Sequence, residues 1–213
     1  MTKNTQGIFI TIEGGEGAGK TTILQLLEKE LANKGIPYTF TREPGGIRIA
    51  EKIRDIILNK EHTEMDGKTE ALLYAAARRQ HLVERILPEI QKGTLILCDR
   101  FIDSSLAYQG IARGIGLEAI LDINIFAIED CFPHLTLYLD IEPEEGLKRI
   151  GSNKNREINR LDIEHITFHH KVREGYLQLL ERYPNRIKKI DASSTPEHVM
   201  QQCLQYIMET VNE

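Results

Sequence analysis

The chain has 213 residues, enough for one domain with a substantial core, and is 41% hydrophobic and 28% charged. A net charge of −5 argues against nucleic-acid binding, which needs a basic face. No apolar run is long enough to span a bilayer, MTKNTQG lacks the apolar stretch of a signal peptide, and Cys98, Cys131 and Cys203 are widely spaced and odd in number. Reduced thiols, a cytoplasmic location and no membrane association are the expectation.

In chain order, the first predicted strand is Ile8–Ile12, and the helix Lys20–Asn33 follows. Between them, Gly14, Gly19, Lys20 and Thr21 satisfy G-x-x-x-x-G-K-[ST], in the strand-to-helix setting the motif requires. The loop Gly14, Gly15, Glu16, Gly17, Ala18, Gly19, Lys20, Thr21 and Thr22 is read as the cradle of a nucleoside triphosphate. Backbone N–H groups and the helix N-terminus would hold the phosphates, Lys20 would reach the β- and γ-phosphates, and the Thr21 hydroxyl would ligate Mg²⁺. Glu16 puts a carboxylate in the middle of this anion-binding loop.

A strand over Tyr38–Thr41 leads into TREPGGIR, with Arg42 at its end, and Arg54 follows on a helix over Ile49–Asn59. A strand over Thr94–Cys98 leads into Asp99 and Arg100. An acid closing an apolar strand beside a phosphate loop suits Mg²⁺ through water, and arginine forks suit a second phosphate group. The alternative is that Arg42 and Arg100 are ion-pair residues holding loops; Arg54 reads equally as phosphate contact or solvated face. Between these segments, a helix over Thr69–Gln91 carries Leu72, Leu73, Ala76, Val83, Leu87 and Ile90 as an expected apolar stripe. At roughly 100° per residue, Tyr74 and Arg78 fall together on the opposite side, where a ring and a guanidinium suit a flat heteroaromatic ligand.

A helix over Leu117–Asp130, a strand over Leu135–Asp140 and a helix over Pro143–Ile150 come next. The segment LKRIGSNKNREINRLD concentrates Lys148, Arg149, Lys154, Arg156 and Arg160 in an acidic chain. It reads as a basic lid able to bring an arginine to a transferring phosphate. On the helix Ile163–Arg182, His165 and His169 have i, i+4 spacing but not the H-E-x-x-H pattern, and an ordinary helix surface is expected. A strand over Ile187–Ile190 and a helix over Pro196–Val211 close the chain. Strands alternating with helices predict an α/β protein with a mainly parallel sheet covered on both faces, binding ligands at the carboxyl ends of its strands.

The stretches EGGEGAGKTT, TREPGG, YAAARRQH, DRFIDSSLAYQGIARGIG, PHLTLYLD and NRLD together resemble the bacterial thymidylate kinases. The resemblance runs from about residue 8 to residue 190. It implies a P-loop nucleoside monophosphate kinase fold, a five-stranded parallel sheet flanked by helices, in one domain over residues 1–213 with a short basic lid at approximately 148–161. It implies ATP + dTMP → ADP + dTDP with Mg²⁺, and a homodimer. Arg42, Arg54 and Arg100 would hold the dTMP phosphate, Tyr74 would stack on thymine, and Arg78 would bond a thymine carbonyl. Ser105 and Gln109 would line the base pocket, and Tyr108 would face the sugar. Asp99 would assist Mg²⁺, Arg156 and Arg160 would act with Lys20 and Arg100 in transfer, and Glu16 would accept from the acceptor's 3′-hydroxyl. Rival readings are a kinase for another nucleoside monophosphate and a P-loop ATPase or GTPase that transfers only to water.

Overall fold

The computed structural model describes residues 6–152 and 159–212. Five strands, β1 (Phe9–Glu13), β2 (Tyr38–Arg42), β3 (Leu95–Asp99), β4 (Leu135–Asp140) and β5 (Ile187–Asp191), form one parallel sheet in the order β2-β3-β1-β4-β5. β1 lies at the centre, and the chain fills one side of it before crossing to the other. The loop after β1 therefore sits where the strand order switches, the place where open parallel sheets bind ligands.

Alternation along the strands sends side chains to two cores. Phe9, Ile96, Cys98 and Tyr138 pack beneath α3 (Gly67–His81), α6 (Leu117–Ile128) and α8 (Ile166–Arg182). Ile10, Ile12, Leu95, Leu97, Leu137 and Leu139 pack against α1 (Lys20–Asn33) and α9 (Pro196–Asn212). Three further helical pieces frame the strand ends: α2 (Arg48–Leu58), α4 (Leu87–Gln91) and α7 (Pro143–Ser152). Glu13 closes β1 fully buried, accepting from the Phe101 N–H at 2.7 Å and from the Ser104 and Tyr176 hydroxyls at 2.5 and 2.9 Å. Burial and the neighbouring Asp103 push its carboxyl up to about 7.

Two expectations change. The helix predicted over Thr69–Gln91 is continuous, but a π-helical turn at Leu82–Ile86 joins α3 to α4. The inward residues are Ala71, Ala75, Arg78, His81, Leu82, Ile86 and Ile90, while Leu72 and Val83 of the expected stripe are exposed. The π turn shifts helical phase, and Arg78 is buried because fixed acceptors surround it. The segment after Arg100, given no element by its sequence, is α5 (Ile102–Ser105) running into a second π-helical stretch, Leu106–Ala112.

Candidate active site

Residues from all three strand-end loops line one open cleft of about 1530 Å³. On one side, Glu16 through Thr22 form its floor, and Gly17 and Gly19 hold left-handed φ angles of 74° and 89°. The Lys20 Nζ is folded back on the loop, donating to the Gly14 and Gly15 carbonyls at 3.0 Å each. Burial, then the Arg100 charge, lowers its ammonium from 10.5 to about 8. Such a cation is poised to gain from a polyanion. Arg149, Ile150, Ala192, Ser194 and Pro196 continue this side of the cleft, and Arg149 donates to the Ala192 carbonyl at 3.0 Å.

Three arginines occupy the middle. Arg100 has φ +70°, an unusual conformation for a residue with a Cβ. Its surroundings over-determine it: Nη1 donates to the Gly14 carbonyl at 2.8 Å, Nη2 to Glu16 Oε1 at 2.5 Å, and the adjacent Phe101 N–H to Glu13 at 2.7 Å. Arg42 is half exposed and bidentate to Glu51 at 2.9 and 3.0 Å, and Arg54 donates to the Pro44 carbonyl at 3.0 Å. Burial and the nearby Arg42 charge lower the Arg54 pKa, as expected where cations crowd without an anion. In register with Arg42, Asp99 ends β3, and its buried Oδ1 has no hydrogen-bond partner among the described residues.

The far wall holds Tyr74, Arg78, Ser105, Tyr108 and Gln109. The sequence-predicted base-pocket residues are thus brought together, from α3 and from the segment after Arg100. Arg78 is 1% exposed, with Nε donating to Glu43 at 2.7 Å, Nη1 to Ser105 at 2.9 Å and to Asn124, and Nη2 to the Phe101 carbonyl at 2.9 Å. Gln109 Nε2 donates to Glu70 at 2.7 Å, and the Tyr108 hydroxyl donates to Glu16 at 3.1 Å. Burial, then the Glu70 charge, raises the Tyr74 phenol and keeps it protonated. Glu43, His81, Glu70 and Asn124 escaped the sequence reading. Glu43 and His81 had a signal, their places inside TREPGG and YAAARRQH; Glu70 and Asn124 act through contacts distant in sequence.

Two expected sites lie elsewhere. Arg160 does not line the cleft: it is 7% exposed, donates to the Ile57 carbonyl at 2.9 Å and pairs with Glu70. A buried carboxylate that already anchors Gln109 draws it away from the triphosphate side. Arg156 and Lys154 fall outside the described residues. On α8, His165 caps the helix through the Thr167 N–H, whereas His169 is 5% exposed, not a surface residue. Its Nε2 has no partner among the described residues, and among these no cluster of His, Cys, Asp or Glu could hold a metal ion.

Comparison with known proteins agrees with this geometry. A family model described as thymidylate kinase matches residues 12–203. The chain is 61% identical over 197 residues to a thymidylate kinase of Clostridium novyi (strain NT), covering 92% of this chain and 96% of the relative. It is 60% identical over 207 residues to one of Bacillus velezensis, covering 97% and 98%. The crystal structure of thymidylate kinase from Ehrlichia chaffeensis superposes with a TM-score of 0.75 at 29% identity, covering 95% of this chain and 99% of that one. A nucleotide cleft between a phosphate loop and a ring-and-arginine wall, on a chain so similar to these over nearly its whole length, has one explanation: the chain belongs to the thymidylate kinase family.

Proposed function

We propose that the protein transfers the γ-phosphoryl group of ATP to dTMP, giving ADP and dTDP. The observation that carries this reading is the shared cleft: Lys20 on one side, Arg42, Arg54 and Arg100 in the middle, and Tyr74 with Arg78 on the far wall. That order matches triphosphate, acceptor phosphate and base.

Both reactants are polyanions, so bringing them together is the main obstacle. The loop N–H groups and Lys20 neutralise ATP, and the three arginines hold the acceptor phosphate in line with the γ-phosphorus. An acceptor phosphate is largely ionised near neutral pH, so no strong general base is required. Tyr74 offers its ring face to thymine, and Arg78 offers its remaining N–H to a base carbonyl. Ser105 and Gln109 line the pocket, and Glu16 and Tyr108 meet the sugar. Thr21 and Asp99 fit Mg²⁺: both line the cleft, and the orphaned Asp99 Oδ1 suits a metal-bound water. Mg²⁺ would supply charge neutralisation between the phosphates. Arg156 and Arg149, which lines the cleft, are the remaining lid candidates for transfer, and Arg160 instead braces the base wall through Glu70.

The same reading makes residues 1–213 one kinase domain with a lid near 148–161, acting in the cytoplasm on ATP and dTMP without nucleic acid. Among the described residues, no helix is long and apolar enough to cross a membrane. A homodimer is supported by exposed Ile49 and Ile56 on α2, Leu72 on α3, and Ile125 and Phe126 on α6, helices that pack side by side. ADP release measured with dTMP, dUMP, dCMP, AMP and GMP tests the acceptor. A clear preference for dTMP is expected; preference for another base would overturn the assignment.

A further inference from the structure

Arg78 does not stand alone in the base wall. Glu43, 4% exposed, uses Oε2 to accept from Arg78 Nε at 2.7 Å and Oε1 to meet His81 Nδ1 at 2.8 Å. His81 is fully buried, and its Nε2 lies 2.5 Å from Thr41 Oγ1. Thr41 and Glu43 flank the end of β2, whereas His81 and Arg78 lie one turn apart on α3. The Gly45–Gly46 turn covers this line. A Cβ at Gly46 would stand 2.6 Å from Thr41 Oγ1 and 3.0 Å from His81 Nε2.

We infer that Thr41, His81 and Glu43 form a relay that positions Arg78 for the acceptor base, so that the end of β2 serves base recognition as well as phosphate binding. The inference rests on the acceptor-base role given to Arg78 above.

The chemistry fixes the direction at Glu43. A carboxylate paired with a guanidinium accepts, so His81 Nδ1 carries the hydrogen. Nε2 and the Thr41 hydroxyl share one hydrogen across their 2.5 Å contact. Of the five guanidinium N–H donors of Arg78, the described residues take four: Glu43, Ser105, Asn124 and the Phe101 carbonyl. The fifth, on Nη2, is the one left for the cleft, and the plane of the fork sets its aim. Glu43 defines one edge of that plane, and His81 with Thr41 prevents Glu43 from turning. Buried ion pairs contribute little net stability compared with apolar packing, so orientation is the property such a line of contacts provides. Merely filling space would not require a histidine hydrogen-bonded at both nitrogens.

The test uses full-length His81→Ala, His81→Asn and Thr41→Val, with KM for each substrate, kcat and thermal midpoint. The side-chain amide of Asn carries an N–H near the position of Nδ1–H and retains the bond to Glu43. His81→Ala should raise the acceptor KM at least about tenfold while the ATP KM stays within about twofold. His81→Asn should recover most of that loss, and Thr41→Val should shift the acceptor KM the same way but less. In an Arg78→Ala background, His81→Ala should add less than about twofold, because the residue it aims is gone. Equal effects on both substrates, no rescue by Asn, or a full additional loss without Arg78 would overturn the relay. If His81→Ala does not fold, Thr41→Val and its cycle with Arg78→Ala decide the matter alone. The wild-type acceptor preference is measured first. Should it fall on another nucleotide, the dTMP assignment fails, and the relay is tested with the preferred acceptor.

Discussion

Arg100 Nη2 lies 2.5 Å from Glu16 Oε1 and joins the turn after β3 to the acid in the phosphate loop. The Tyr108 hydroxyl meets the same oxygen at 3.1 Å. A carboxylate inside an anion cradle would repel phosphate if it faced the nest of N–H groups. Drawn instead toward Arg100 and Tyr108, it stands on the acceptor side with its charge compensated.

Glu16→Gln therefore acts on the acceptor. The amide oxygen still accepts from Arg100, but the charge that strengthens a sugar hydroxyl bond is lost. dTMP affinity should fall about tenfold, and the preference for dTMP over its 3′-deoxy analogue should shrink, while ATP affinity changes little. Titration calorimetry with the three ligands checks this; unchanged affinity together with unchanged discrimination contradicts the sugar contact.

Lys20→Ala should lower turnover by about 10²–10³-fold, the usual loss when one preorganised donor to a charge-developing oxygen is removed. The fold should persist. Lys20 is 8% exposed with its ammonium lowered to about 8, so removing that buried charge relieves a desolvation cost. Circular dichroism and a thermal melt report the fold separately from the assay. Near-normal turnover would end the phosphate role.

Gly146 tests how closely α7 backs the loop. A Cβ at Gly146 would lie 2.3 Å from the Glu16 carbonyl oxygen, and one at Gly17 would lie 2.0 Å from the Gly146 carbonyl oxygen. Both obstacles are backbone, so neither yields without moving the loop. Gly146→Ala should cost about 1–3 kcal/mol of stability and weaken ATP binding. Gly17→Arg, which places a cation in the loop itself, should lose activity for the same reason. A Gly146→Ala protein with wild-type melting and ATP affinity would mean the crossing is looser than these distances.

Glu13 gives a pH signature. Its folded carboxyl lies near 7, above its ordinary value of 4.5, so the native state binds the extra proton between those limits. The stability this contributes is complete below about 4.5 and is lost as pH rises through about 7. Gln imitates the protonated form at every pH. Glu13→Gln should gain on the wild type as pH rises from 5 to 8, read as a growing difference between their unfolding free energies. A difference independent of pH would place the Glu13 titration outside this window.

The strands, and the loop from Gly14 to Thr22, were legible because each signal is local: alternating apolar runs, and a glycine-lysine pattern between a strand and a helix. Tyr74 and Arg78 were legible as a pair through one turn of helical spacing. The burial of Arg78 was not, because its partner Glu43 is 35 residues away and nothing in either neighbourhood announces the pairing. Leu72 and Val83 were misread as core because an apolar residue left exposed looks the same in sequence as one that is buried. Arg160 looked like a lid residue because charge density drew attention to it. Its actual direction depends on Glu70, ninety positions earlier.

The most direct test of phosphoryl transfer follows the γ-phosphate itself. With γ-labelled ATP, Mg²⁺ and dTMP, label should appear in dTDP in step with ADP, with little released as inorganic phosphate, and turnover should nearly stop when dTMP is left out. Label released mainly as inorganic phosphate, at a rate indifferent to dTMP, would contradict a thymidylate acceptor and identify water as the true one.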